Sequence, residues 1–213
     1  MTEKGILIVV SGFSGTGKGE TIKRLMGKYP RYVFSISATT RSPREGEQHG
    51  REYFFLSKEE FEQKISEGRF LEHANYVGNY YGTPRDYVEE QLAAGRDVLL
   101  DIEVEGALNV KQVFPEAVLV YLLPPSAKEL KRRLSGRGTE TEDVIKKRMS
   151  RSLEESKEIE KYDYVVVNDE LDQCVEELHG IVSSEHNRTD RKRNFIEHIS
   201  SELQTYLKGE NIK

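Results

Sequence analysis

Three observations predict a doubly wound α/β fold, a parallel-sheet core with helices on both faces. Apolar, β-branched runs of strand length alternate with helical patterns almost from end to end. These runs are apolar at successive positions, as strands buried on both faces of a parallel sheet require. The first of them passes directly into a glycine-rich turn that opens a helix, so strand–loop–helix is the repeating unit.

In chain order, "ILIVV" (6–10) is the first strand, followed by the turn "GFSGTGK" and the helix "GETIKRLMGKY". Residues 37–83 break the pattern. Short aromatic strands ("YFFL", "FLEHANY", "NYYGT") surround one helix, which Ser57 and Glu60 open as a capping box. This stretch is expected to be a small subdomain inserted into the core. Thr83 and Pro84 then supply an N-cap and a first-turn proline, and Gly95 stops the helix. "DVLLDI" (97–102) and "AVLVYLL" (117–123) are buried strands, and Ser126 with Glu129 forms a second capping box. "SGRGTETED" (135–143) is a polar, Gly-rich break between two basic helices and is expected to be a mobile lid. "YDYVVVN" (162–168) is the last strand. Residues 171–208 form one long helical pattern with Phe195, Ile196, Ile199, Leu203 and Leu207 on one face, expected to dock on the body or on a second subunit. The expected division is one domain over 1–208, with core segments 1–36, 84–134 and 161–208, subdomain 37–83, lid 135–160 and tail 209–213.

Composition narrows the function classes. Of the 213 residues 32% are charged and 36% hydrophobic, which fits a soluble protein with one sizeable core. The net charge of -5 argues against a general nucleic-acid binder. Cys174 is the single cysteine, so no internal disulfide forms and a reducing compartment is expected. The apolar run near the N-terminus is stopped by Ser11 and Gly12, too short for a membrane span and without a signal-cleavage pattern. Cytoplasmic is the expected location. The five histidines have no ligand-like spacing, so no protein-caged metal is expected.

"GFSGTGK" follows a strand and opens a helix, a context in which backbone N–H groups converge where the helix dipole favours an anion. Lys18 adds a charge that reaches β- and γ-phosphates. The strict pattern places Ser or Thr after the lysine to bind magnesium, whereas this chain has Gly19 and then Glu20. Asp101 ends the strand "VLLD", where a carboxylate orients magnesium or its waters, or simply closes a turn. A second cluster lies in "SISATTRSPREGEQHGREYFF" (35–55). Arg41 and Arg44 can hold a phosphomonoester by forked hydrogen bonds, with phenolic donors from Tyr53 and from Tyr81 of "GNYYGTP". Read blandly, the segment is a solvated basic loop with aromatic anchors. Two separate phosphate-type sites suggest instead two phosphorylated substrates.

At this point the chain resembles a guanylate kinase. The matching segments are "SGFSGTGKG", "SATTRSPREGE-QHGREYFF", "FLEHANYVGNYYGTP", "LLDIEVEGA", "LPPS", "RRLSGRGTETEDVIKKR" and "YDYVVVND", in order from residue 5 to about 170. The resemblance implies a P-loop nucleoside-monophosphate-kinase fold with a GMP-binding subdomain and a lid. It implies the reaction ATP + GMP giving ADP + GDP, with dGMP as a further acceptor, magnesium carried with ATP, and a place in purine nucleotide metabolism and GMP recycling. Carried over by position, Gly12, Phe13, Ser14, Gly15, Thr16, Gly17, Lys18, Gly19 and Glu20 form the ATP-phosphate loop, and Asn168 and Asp169 edge the adenine pocket. Ser37, Glu72 and Glu103 match the guanine-recognition positions. Arg41, Arg44, Tyr53 and Tyr81 match those holding the GMP phosphate; Thr83, Glu47 and Asp101 complete the GMP set. Lys18, Arg137 and Arg148 match the catalytic positive charges. The implied partners are ATP and GMP, with no nucleic acid and no membrane, in a monomer or homo-oligomer.

The chemistry agrees with those roles. Guanine offers an O6 acceptor and N1–H and N2–H donors, complementary to the Ser37 hydroxyl and the Glu72 carboxylate; adenine's unprotonated N1 would face that carboxylate with no proton between them. Alone, Glu72 reads as a surface carboxylate at a strand end, and the resemblance is what assigns it. Two alternatives stand beside the enzyme: a catalytically weakened binding module built on the same fold, and a kinase for another nucleoside monophosphate. Departures from the family are Phe13 for proline, Glu105 for glutamine and Glu20 for a hydroxyl residue. Glu20 is expected to turn to solvent or pair with Lys23 or Arg24 and to weaken ATP binding, with Thr21 as a candidate substitute hydroxyl.

Overall fold

Five parallel strands meet the demand set by the unbroken apolar runs. In the computed structural model, which describes residues 3–136 and 141–207, the first strand β1 (Leu7–Gly12) leads through the glycine-rich turn into α1 (Lys18–Lys28). β2 (Tyr32–Phe34) follows; three residues carry too little periodicity to be read from sequence. An inserted sheet comes next, with β3 (Ala38–Thr39), β4 (Phe54–Phe55), α2 (Lys58–Ser66), β5 (Phe70–Tyr76) and β6 (Asn79–Pro84). The chain returns to the core through α3 (Arg85–Ala93), β7 (Asp97–Asp101), α4 (Val104–Val113) and β8 (Val118–Leu123). It ends with α5 (Ala127–Ser135), α6 (Glu142–Ser156), β9 (Tyr164–Val167), α7 (Leu171–His186) and α8 (Arg193–Leu207). The core sheet has the order β2-β7-β1-β8-β9, every pair parallel.

β1 is buried along its apolar length. Leu7 and Val9 pack with Val98, Leu100 and Leu119 of the neighbouring strands, beneath Val88 and Leu92 of α3 and Ala107 and Val110 of α4. Ile8 and Val10, equally buried, alternate to the opposite face, and α1 lies along β1, β2 and β7 with Ile22 and Leu25 buried. Connections leave β1 toward β2 on one side and reach β8 on the other. The carboxyl ends of β1 and β7 therefore open at a switch point, where α/β sheets bind ligands.

The inserted sheet has the order β4-β3-β6-β5 around Phe61 of α2, whose ring stacks on Phe70 (centroids 4.3 Å) and Tyr80 (5.2 Å). Ser57 and Glu60 form the complete reciprocal capping box expected for α2. The second box is only half formed. Ser126 Oγ accepts from the Glu129 amide, but the Glu129 carboxylate turns to Arg132 and Arg133, which draw its pKa down to about 2. Thr83 is not the N-cap of α3: it lies inside β6, Pro84 takes the cap position, and Gly95 at φ 79 follows the last turn as expected. The pattern read as one helix over 171–208 is two, α7 and α8, parted by turns.

The chain forms two compact units, Met1–Val175 and Glu176–Lys213. The first holds both sheets, and α7 begins in it and runs into the second. Among the described residues no helix is long and apolar enough to cross a membrane.

The β5–β6 hairpin turns at Val77 (φ 49) and Gly78 (φ 78). Two successive positive φ values define the turn type that favours Asn-Gly, and a β-branched residue is strained at the first of them. Val77 is 81% exposed, so its replacement gives up little packing. Val77→Asn should raise stability by about 1 kcal/mol, read as a higher urea midpoint at unchanged slope.

Candidate active site

The phosphate loop is fixed from beneath before any ligand arrives. Phe13 puts its ring into a cluster with Tyr121, Leu130, Leu134 and Ile145, meeting Tyr121 edge-on at 5.4 Å. Thr16 is fully buried, its amide and hydroxyl both donating to the Phe13 carbonyl, at 3.1 and 2.9 Å. The Thr16 carbonyl accepts from Asn168 Nδ2 at 2.7 Å and from Arg133 at 3.4 Å. Gly17 is left-handed (φ 91), and a Cβ there would lie 2.6 Å from Asn168 Nδ2. No side chain caps α1, so its first N–H groups stay directed at the loop. Lys18 Nζ donates to the Gly12 carbonyl at 2.7 Å.

At the carboxyl ends of β1 and β7 a cavity of about 170 Å³ is lined by Gly12, Lys18, Asp101, Ile102, Glu103 and Val104 with Glu155. The Asp101 side chain opens to solvent on the cleft side, yet the protein mass behind it raises its carboxyl pKa, with Lys18 opposing. Glu103 is the N-cap residue of α4 and is paired with Arg151 of α6, which also holds Glu155 at 2.8 Å. Arg148, one turn earlier on α6, donates to Ser14 Oγ at 3.4 Å, so this helix reaches both the loop and the far side of the cavity. Arg137 lies outside the described residues.

The second cluster forms in the inserted sheet. Arg41 makes a two-pronged ion pair with Glu47 (both contacts 3.0 Å), and Glu47 also accepts the Arg44 amide at 2.7 Å. The Arg41 fork is the main cause holding the Glu47 carboxyl below the usual range, and Arg41 is raised in return, with Tyr81 a further hydrogen-bond partner. The guanidinium lies over the rings of Tyr53 (5.4 Å) and Phe55 (5.8 Å), and Tyr53 meets Tyr81 edge-on at 6.2 Å. Arg41, Glu47, Tyr53 and Tyr81 are thus brought together, while the Arg44 side chain is exposed.

Glu72 on β5 accepts from Thr83 Oγ1 of β6 at 2.7 Å, and its other oxygen lies 3.4 Å from where a Cβ on Gly106 would stand. Any side chain at 106 would press on that carboxylate. Burial raises the Glu72 pKa, and the Thr83 bond offsets part of the rise. Glu72 therefore lies against the first turn of α4, the helix that Glu103 opens. Ser37, half-buried, immediately precedes β3 and its carbonyl accepts the Phe54 amide at 2.9 Å.

The family model "Guanylate kinase" matches residues 4–185. The chain belongs to the guanylate kinase family. It is 53% identical over 189 residues to the guanylate kinase of Shouchella clausii, covering 89% of this chain and 92% of that protein. The guanylate kinase of Listeria innocua is 52% identical over 193 residues, with 90% and 94% covered. The crystal structure of guanylate kinase from Anaplasma phagocytophilum superposes with a TM-score of 0.66 at 31% identity, covering 89% of this chain and 90% of that one. The chain is thus a kinase with the P-loop kinase fold.

Within this guanylate kinase fold, Glu20 takes the first of its two expected courses and turns to solvent, while the expectation for Thr21 changes. Glu20 is exposed, but Arg24 forms its fork with Asp172 (2.9 and 3.3 Å), and Glu20 adds only a weak electrostatic pull on it. Thr21 offers no substitute hydroxyl: it is fully buried, donates to the Gly17 carbonyl at 3.2 Å and accepts from Asn168 at 3.4 Å. Arg133 is the cation that reading by sequence passed over. "KRRLSGRG" contains three arginines, and only helix phase shows that this one turns to the loop, held there by Glu129.

Asn168, assigned by resemblance to the adenine edge, is 5% exposed with its amide committed to the loop. Asn168→Ala leaves a buried carbonyl with one weak partner. Loss of about 1–3 kcal/mol in denaturant unfolding is expected, together with a KM for ATP that rises more than that for GMP.

Proposed function

We propose that the chain transfers the γ-phosphoryl group of ATP to GMP, giving ADP and GDP, with dGMP as a second acceptor. The observation that carries this reading is the cavity at the ends of β1 and β7, where Lys18 of the phosphate loop faces Asp101 and Glu103. A donor cradle and residues proposed for the acceptor share one opening. In this reading the reaction belongs to purine nucleotide metabolism and GMP recycling in the cytoplasm.

ATP phosphates lie on the amides opening α1, and Lys18 exchanges the Gly12 carbonyl for a phosphate oxygen. Arg148, already at Ser14, and Arg137 add charge against the transferring group. The GMP phosphate is held by Arg41, Arg44, Tyr53 and Tyr81, with Glu47 holding the Arg41 guanidinium in place. Ser37 and Glu72 take the guanine edge, and Glu103 joins them on releasing Arg151. No general base is required, because the second pKa of a phosphomonoester is about 6 and the acceptor oxygen is already ionised near neutral pH. Catalysis then rests on holding two polyanions in line and neutralising charge.

The donor set fits a magnesium ion that arrives with ATP. Among the described residues no group of three or more acidic, His or Cys side chains could hold a metal. Asp101, which lines the cavity with Lys18 and feels its charge, is suited to orient its waters, and such an ion keeps most of its ligands as water and phosphate. Bound to the phosphates, the ion would supply further charge neutralisation.

A coupled ADP assay with GMP, dGMP, AMP, CMP and dTMP tests the reading. Turnover with the two guanine nucleotides alone is expected. Comparable kcat/KM with another base points to a different monophosphate kinase, and no turnover with any points to a binding module.

Glu72 gives a sharper outcome. Its raised native pKa means the carboxyl adds to stability only while protonated, below its ordinary value, and that contribution is lost as pH rises through the native pKa. Guanine donors favour the ionised form. Glu72→Gln should therefore lower kcat/KM for GMP by about 100-fold or more, while the melting temperature at neutral pH stays equal or rises.

Glu20→Thr should lower the KM for ATP and leave that for GMP nearly unchanged, since a carboxylate in the first turn of α1 competes with phosphate for the same N–H groups. A raised KM for ATP would make Glu20 a working part of the site.

A further inference from the structure

The helix α8 lies beyond the part of the chain that the family model matches, and its apolar face reads the same in both directions. Phe195, Ile196, Ile199, Leu203, Tyr206 and Leu207 are all exposed, from 39% at Ile199 to 88% at Leu207. They lie symmetrically about Ser201: 195 with 207, 196 with 206, 199 with 203. Ile196, Ile199, Leu203 and Tyr206 follow the three-four spacing of a coiled-coil seam, with Phe195 and Leu207 widening it at either end. An isolated helix of this length is marginal in water unless its apolar face is covered.

We propose that this face is covered by the same face of a second copy of the chain, the two α8 helices running antiparallel about a two-fold axis. A two-fold interface must be self-complementary, residue i meeting j while j meets i, and a palindromic stripe satisfies that condition at every apolar position. Ile199 of each copy then packs on Leu203 of the other, and Phe195 with Ile196 lies level with the other copy's Tyr206 and Leu207. A parallel pair would instead set each residue against itself. The antiparallel arrangement also brings the basic run Arg191–Arg193 over the C-terminal end of the second helix, where the helix dipole is negative. Twelve apolar side chains, six from each copy, bury roughly 1,000 Å² in such a pair, at the small end of specific interfaces, so a dimer that dissociates on dilution is the expected behaviour.

Sedimentation of the full chain between about 1 and 100 μM should show a monomer–dimer equilibrium, and Ile199→Asp with Leu203→Asp should weaken it by at least about 100-fold. Helix content and GMP-dependent ADP formation should be retained, which separates this result from any failure of the proposed activity. An independent readout is oxidative cross-linking: Ile196→Cys chains mixed with Tyr206→Cys chains should give a mixed disulfide, and each alone far less self-cross-linking. A full chain monomeric at 100 μM, a dimer that survives both aspartates, or preferential 196-to-196 cross-linking would each overturn the proposal.

Discussion

The buried amide of Asn168 on the Thr16 carbonyl is the interaction on which the site depends. A loop that aims N–H groups outward must leave its carbonyls pointing inward, where each needs a donor. Asn168, at the end of β9, supplies one to Thr16, and Phe13 ties the start of the same loop into the core. The last strand of the sheet therefore holds the turn that follows the first. Glycine at 17 is the consequence, because a Cβ would occupy the space of the Asn168 amide.

Charge is organised in the same way, by partners that hold cations in place before substrate comes. Glu47 fixes Arg41, Glu129 fixes Arg133, and Glu103 engages Arg151. A long flexible side chain ordered in advance loses less entropy when a phosphate binds. Glu72 is the counterexample: its half-buried carboxylate draws on Thr83, by side chain and backbone, and on no cation, at a cost to its ionised form. Such a group favours a ligand that brings the missing donors.

The parallel sheet was legible because β1, β7, β8 and β9 are written as unbroken apolar runs, and the loop because its glycines have no other use between a strand and a helix. β2 was not, being three residues long and defined by its pairing with β7 rather than by its own pattern. Thr83 was misread as a cap because its hydroxyl serves a carboxylate eleven residues earlier in the chain, across the β5–β6 pair. The half-formed box at Ser126 shows the same limit, since the arginines three and four residues on outbid the backbone amide for Glu129. Within the site, Arg41, Tyr53 and Tyr81 stood out by residue type. Arg133 did not, because a basic helix offers several arginines and only the angle around its axis separates them.

The pairing of Glu103 with Arg151 joins the start of α4 to α6, and both side chains are more than half exposed. An attraction between exposed charges is screened as the Debye length shrinks toward a few ångströms. The tether on α6 is therefore set by the medium as well as by the sequence: firm in dilute buffer and slack in brine. The same helix carries Arg148, so a contact that salt weakens and one that touches the phosphate loop stand a single turn apart on α6.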